Sequence, residues 1–278
     1  MAPVFRHSLC NELYERRPFA ETCRAVRQAG YAGIELAPFT LAEDPVALSA
    51  SGRREIASAI RDAGLEFAGL HWLLVSPPGL HVTTPDAAVR RISWNYLYGI
   101  VDLCADLGPN GVLVFGSPKQ RSSTGGSTAA ESAARLEEGL HGLAPHAFER
   151  GVTFLVEALA PDQADVITSL DEAAALVERI NSPAIRAMFD THNAVMEQEP
   201  HAVLVERWFD LIRHVHVNEM DGRHPGTGSY DFKPVLEVLA RRGYQGWISL
   251  EVFDFKAGAD RIAAESLAFL ESEIGRVQ

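Results

Sequence analysis

The chain has 278 residues, is 47% hydrophobic and carries a net charge of −12. This is globular composition with enough apolar residues for a large core, and the acidic balance argues against nucleic acid or an anionic membrane as partner. The three cysteines, Cys10, Cys23 and Cys104, form no CxxC pair, so they read as reduced, buried thiols. No leader-type start and no apolar run near the roughly 20 residues of a membrane span is found, and the expected location is cytoplasmic.

Short β-like runs alternate with longer helical ones along the chain. A strand over 4–9 precedes a helix over 19–29, and a strand over 33–36 precedes a helix over 53–63. Strands over 66–71 and 111–115 are followed by helices over 86–107 and 128–150. The second half continues with strands 152–157, 186–190, 214–217 and 247–251 and helices 170–180, 200–208, 231–242 and 259–274. The strands are rich in Val, Ile, Leu and Phe with little alternation, as parallel strands buried on both faces require. Glycines after the helices read as left-handed stops, and Ser169-Leu-Asp-Glu172 reads as a capping box. Eight such units without a composition break predict a single α/β domain over 1–278, a (β/α)8 barrel, and not a doubly wound sheet. The Ser122-Ser-Thr-Gly-Gly-Ser127 segment after the fourth strand reads as a flexible lid at the active-site face.

Four consecutive strands in the second half each end on an acidic or imidazole residue: Glu157, Asp190, His216 and Glu251. In a barrel, strand ends converge on the axis at one mouth. Any one of these residues alone could cap a helix or pair with an arginine. Three carboxylates converging without a cation would repel one another. The set therefore predicts one divalent cation, with Mn2+ preferred over Mg2+ or Co2+ as alternatives, and open positions for two substrate oxygens.

Phe189-Asp-Thr-His-Asn193, His214-Val-His-Val-Asn-Glu219 running on to Pro225-Gly-Thr-Gly228, and Ser249-Leu-Glu-Val-Phe253 complete the pattern. Together they resemble the xylose-isomerase-like barrel superfamily of sugar isomerases and epimerases, over nearly the whole chain. It includes ketose 3-epimerases, hydroxypyruvate isomerase and inosose dehydratase. The resemblance implies that Glu157, Asp190, His216 and Glu251 are the metal ligands. It implies that Glu157 and Glu251 also form the catalytic acid/base pair, acting next to a carbonyl through a metal-bound cis-enediolate. It further implies a small sugar or keto-sugar as partner and a possible homo-dimer or tetramer. The chain departs from the pattern in two places. His192 lies two residues after Asp190, where many relatives place it three after, and Asn193 takes that third position. Gln163 stands where many relatives carry a glutamate, and it can bind a hydroxyl but cannot act as a base. His192 and Gln163 are thus candidate substrate contacts. So is Arg223, whose alternative is a solvated loop arginine.

In the first half, His71 and Trp72 end the third strand and offer a polar donor beside an aromatic wall; a satisfied core histidine is the alternative. Glu35 ends the second strand, either to contact a hydroxyl or to cap a helix. Lys119 and Arg121 concentrate positive charge at the predicted mouth, to bind a substrate carboxylate or phosphate, to neutralise the acidic site, or to remain solvated. His214 is assigned to the exterior layer, and His7, His81, His141, His146, His201 and His224 to structural or surface roles. Loss of a β-hydroxyl after enolisation is the lyase alternative. Phosphodiester cleavage and a sugar-binding module without catalysis are weaker ones.

Overall fold

Strand β1 (Arg6–Cys10) pairs in parallel with β2 (Gly33–Leu36), and pairing continues in order through β3 (Glu66–Leu70), β4 (Val112–Phe115), β5 (Thr153–Val156), β6 (Ile185–Asp190), β7 (Ile212–Val217) and β8 (Trp247–Leu250). Strand β8 returns to β1 with Ser8 opposite Ser249, which closes the barrel. The computed structural model describes residues 5–275. The expected start of the first strand at Val4 lies outside these residues.

The longer helices form the outer ring: α1 (Phe19–Gln28), α2 (Ala50–Asp62), α3 (Ala87–Leu107), α5 (Ala129–Glu149), α6 (Leu170–Ile180), α7 (His201–Trp208), α8 (Lys233–Arg241) and α9 (Ala259–Gly275), while the short α4 (Pro118–Arg121) lies at the mouth after β4. Their starts follow local chemistry. Asp86 accepts from the backbone N–H groups of Ala88 and Val89 at the head of α3. Ser49 caps α2, which begins three residues before the expected position 53 because the hydroxyl accepts from Gly52 N. The reciprocal capping box lies at Thr128 and Glu131, at the head of α5. At α6 the expected box is only half made: Ser169 accepts from Glu172 N, but the Glu172 carboxylate turns to Thr168. The expected glycine stop holds at Gly151 (φ 68) but not at Gly108, whose φ of 179 is extended. The turn after α3 takes its left-handed residue at Asn110 instead (φ 58).

Alternation along the strands divides the core in two. Outward residues such as Leu113, Phe115, Phe154, Val156, Ala187 and Phe189 join the large cluster under the helices. Inward residues Val112, Val114, Leu155 and Met188 form a separate plug between β4, β5 and β6. The other side of the interior is polar: Ser8, Glu35, His71, His214, His216 and Ser249 are all 0% exposed. His214 belongs to this inner set, which corrects its assignment to the exterior. Residues two apart on a strand share a face, so His214 must point the same way as His216.

Candidate metal centre and active site

The apolar plug ends upward in charge. Directly after β5, Glu157 follows Leu155 by two residues; on β6, Asp190 follows Met188 by two; both therefore point inward at the carboxyl-terminal mouth. Asp190 stands beside His216 in the β6–β7 register, and Glu251 follows β8 directly. One ligand atom from each of Glu157, Asp190, His216 and Glu251 lies within 4.8 Å of all the others. All four are at most 6% exposed.

Each of the four side chains meets further partners. His216 Nδ1 lies 3.0 Å from Glu251 Oε2 and 3.6 Å from Asp190 Oδ2. Its other ring nitrogen, Nε2, lies 3.1 Å from Glu35 Oε1. Trp72 Nε1 donates to Glu251 Oε1 at 2.7 Å, and Asn193 Nδ2 donates to Glu157 Oε1 at 2.9 Å. Asp190 Oδ1 accepts from the backbone of His192 and Asn193 (2.6 and 3.1 Å), while Asp190 Oδ2 is buried without a hydrogen bond. Among the described residues no Lys or Arg side chain pairs with any of these carboxylates. Three buried carboxylates, one of them with a bare oxygen aimed at the cluster, need positive charge, and oxygen donors with one imidazole fit a hard or borderline divalent cation. The residues present can therefore hold one.

The two glutamates experience opposite environments. Burial, with Asp190 and Glu251 nearby, pushes the Glu157 carboxyl up to about 8. At Glu251 burial also acts upward, but the His216 charge and hydrogen bond and the Trp72 donor hold it below the usual carboxylate range. Two carboxylates pushed apart in this way are the pattern of an acid/base pair.

Glu35 corrects a further expectation. It neither meets the cavity nor caps a helix. Fully buried, it sits among three imidazoles, 2.8 Å from His214 Nε2, 3.1 Å from His216 Nε2 and 3.4 Å from His71 Nδ1. Burial works against its charge, but His214 and His216 keep it well below the ordinary carboxylate range. His71 in turn meets Glu12 at 2.9 Å. No sequence signal pointed to this network, because its members come from β2, β7 and the residues just after β1 and β3, and meet only across the closed barrel.

A cavity of about 550 Å3 opens above the cluster. Of the expected substrate contacts, His71, Trp72, Lys119, Gln163 and His192 line it together with Glu157 and Glu251. Arg223 does not: it pairs with Asp221 at 2.7 Å and donates to Thr227 O. Arg121 is also absent from the wall. It is 0% exposed and donates to the carbonyls of Phe115, Glu157 and Ile167. Segment 122–127, the expected lid, does not line the cavity, and Ser123 N donates to Asp165 at 2.8 Å. Its place is taken by α4, which sequence reading missed because four residues carry no periodicity. Asn193, Ser117 and Phe253 also line the wall without having been predicted. Asn193 was legible as the residue in the third position after Asp190. His192 packs against Phe253 at 5.0 Å between ring centroids and points Nδ1 at Met220 O, 2.8 Å away.

A parallel eight-stranded barrel with carboxylates and an imidazole gathered at its carboxyl-terminal mouth defines a TIM-barrel protein with a candidate metal centre. The chain belongs to the xylose isomerase-like TIM barrel family, whose model matches residues 23–273. It is 28% identical to a Streptomyces coelicolor protein whose assignment as hydroxypyruvate isomerase is provisional, over 93% of this chain and 92% of that one. It is 25% identical to the ketose 3-epimerase of Arthrobacter globiformis, over 82% of this chain and 76% of the relative. Among solved structures, a D-psicose 3-epimerase crystallised in the presence of D-fructose superposes with a TM-score of 0.84 at 21% identity, covering 98% of this chain and 100% of that one. The expected fold and family are thus both borne out. No helix among the described residues is long and apolar enough to cross a membrane.

Proposed function

We propose that the chain is a divalent-metal-dependent sugar isomerase or epimerase that removes a proton next to a carbonyl. The observation that carries this reading is the convergence of Glu157, Asp190, His216 and Glu251 within 4.8 Å at the floor of a sugar-sized cavity. Those four residues would hold the cation, with Mn2+ the preferred ion. When bound, it would polarise a carbonyl and its neighbouring hydroxyl and so acidify the C–H between them.

The protein's own groups then do the rest. Glu157 after β5 and Glu251 after β8 both line the cavity, and one carboxylate takes the proton from carbon. The electron pair left behind moves into the carbonyl and gives a cis-enediolate. Proton return to the same carbon from the opposite face gives an epimer; return to the neighbouring carbon gives an isomer. Trp72 and His216 orient Glu251, and Asn193 orients Glu157. Gln163 donates to Asn193 Oδ1 at 3.2 Å and so supports Glu157 through it, a neutral role in keeping with its amide. His192 reaches the cavity as a substrate contact.

One feature supports isomerisation over dehydration. The relatives aligned over 82–93% of this chain are all named isomerase or epimerase, whereas an inosose dehydratase aligns over 42%, as a D-psicose 3-epimerase does over 43%. The test is product analysis with Mn2+-loaded protein and a panel of ketoses. Isomeric products and no ultraviolet-absorbing enone are expected. Glu157→Gln or Glu251→Gln should lower kcat by about 10²–10⁴-fold. An enone as main product would replace this reading with the lyase.

A further inference from the structure

We infer that the substrate carries a carboxylate at the end remote from its reacting carbonyl, and that Lys119 reads it. This rests on the proposed function for the identity of the reacting end only. Of the 25 Lys and Arg residues in the chain, three are lysines: Lys119, Lys233 and Lys256. Lys233 pairs with Glu237 at 3.7 Å and Lys256 with Asp254 at 3.3 Å. Lys119 has no carboxylate partner among the described residues, and it is the one Lys or Arg that lines the cavity. In a chain of net charge −12 an unpaired cation on the wall of an acidic cavity is free for a ligand.

The backbone that carries it is anchored. Lys119 sits on α4, and the same short helix ends in the buried Arg121, which fastens it to the carbonyls of Phe115, Glu157 and Ile167. The ammonium is therefore carried by a backbone tied to that of Glu157 itself. Ser117, next along the wall, has a buried hydroxyl with no partner, a second donor on the same turn. The cavity of about 550 Å3 would be mostly water around a three-carbon acid and has room for a longer chain. One ammonium matches one negative charge. A phosphate dianion beside three carboxylates would be left undercompensated, and the wall offers no arginine fork for it.

The test is binding, measured by calorimetry or ligand-observed NMR on the metal-loaded protein, with D-fructose, D-fructuronate and D-fructose 6-phosphate. These differ at the remote end only: neutral, carboxylate, phosphate. We expect Kd for D-fructuronate at least tenfold below that for D-fructose, with a preference that falls as salt rises. Lys119→Met should erase the preference and Lys119→Arg should restore most of it. Equal affinity for D-fructose and D-fructuronate, binding of none of the three, a preference unchanged in Lys119→Met, or D-fructose 6-phosphate binding as tightly as D-fructuronate would each overturn the inference. Binding as expected without turnover of any ketose would instead count against the enolising reaction and leave this assignment standing.

Discussion

Glu35 makes the clearest case at the scale of single residues. Its Oε1 takes Nε2 of His216, which leaves Nδ1 facing Glu251 and Asp190. A carboxylate behind a ligating histidine fixes ring orientation and tautomer and raises its basicity. Glu35→Gln should therefore weaken Mn2+ binding by about 10–100-fold, read by calorimetry; affinity unchanged in a folded variant would remove Glu35 from the site. His7 makes a second prediction away from the mouth. It is buried, its Nδ1 has no partner, and burial lowers its pKa to about 4 from 6.5. Well above pH 6.5 the ring is neutral in both the folded and the unfolded chain, so it adds no pH dependence there. As pH falls toward 4 the unfolded chain takes up a proton that the folded one refuses, so stability drops by up to about 3 kcal/mol. Denaturant titrations at pH 7 and pH 4.5 should show this loss, and His7→Phe should reduce it. The four clustered residues, Glu157, Asp190, His216 and Glu251, were legible in the sequence because each stands at the end of an apolar strand. Glu35 was not, since one buried glutamate says nothing of imidazoles far away in the chain, and His214 was misassigned by miscounting a period of two.

The turn from β4 into α4 is the element on which the site depends most. A Cβ at Gly116 would meet Glu157 Oε2 at 2.3 Å, so the turn needs a residue without a side chain for the glutamate to reach the cluster. Gly116→Ala should leave the far-ultraviolet spectrum intact while weakening divalent-ion binding by tenfold or more; unchanged binding would show that Glu157 is not a ligand. Arg121 locks the same element from behind. Burial lowers its pKa to about 10, against the upward pull of Glu157, so the cation is held at real desolvation cost. Arg121→Met strands three carbonyls and should cost about 3 kcal/mol in thermal unfolding. Long elements with caps were readable from periodicity and chemistry: α6 is found over the expected 170–180 and α3 within one residue of 86–107. Short ones were not. Helix α4 and the 3-10 turns at Asn11–Tyr14 and Asn193–Met196 are set by tertiary hydrogen bonds and have no sequence period of their own.

Over the whole molecule the barrel interior is two-sided, apolar between β4 and β6 and polar from β7 round to β3. The apolar plug gives Glu157 and Asp190 a dry floor, and the polar side supplies the imidazoles and their carboxylate. Closure itself was readable, because eight apolar strands alternating with helices have few other ways to bury both faces of a parallel sheet. A cation bound to the closed barrel and not to the unfolded chain would stabilise it by about 2.7 kcal/mol at a hundred times its Kd, several degrees in Tm. Glu157→Gln should lose most of that shift. The central claim, however, is proton abstraction next to a carbonyl by the glutamates at this mouth. The most direct measurement is turnover in D2O with Mn2+-loaded protein, followed by NMR of the recovered ketose and product. Deuterium at a single carbon beside the carbonyl, absent from reactions with Glu157→Gln or Glu251→Gln, is the predicted result. Conversion without any deuterium uptake, or equal uptake in both variants, would contradict it.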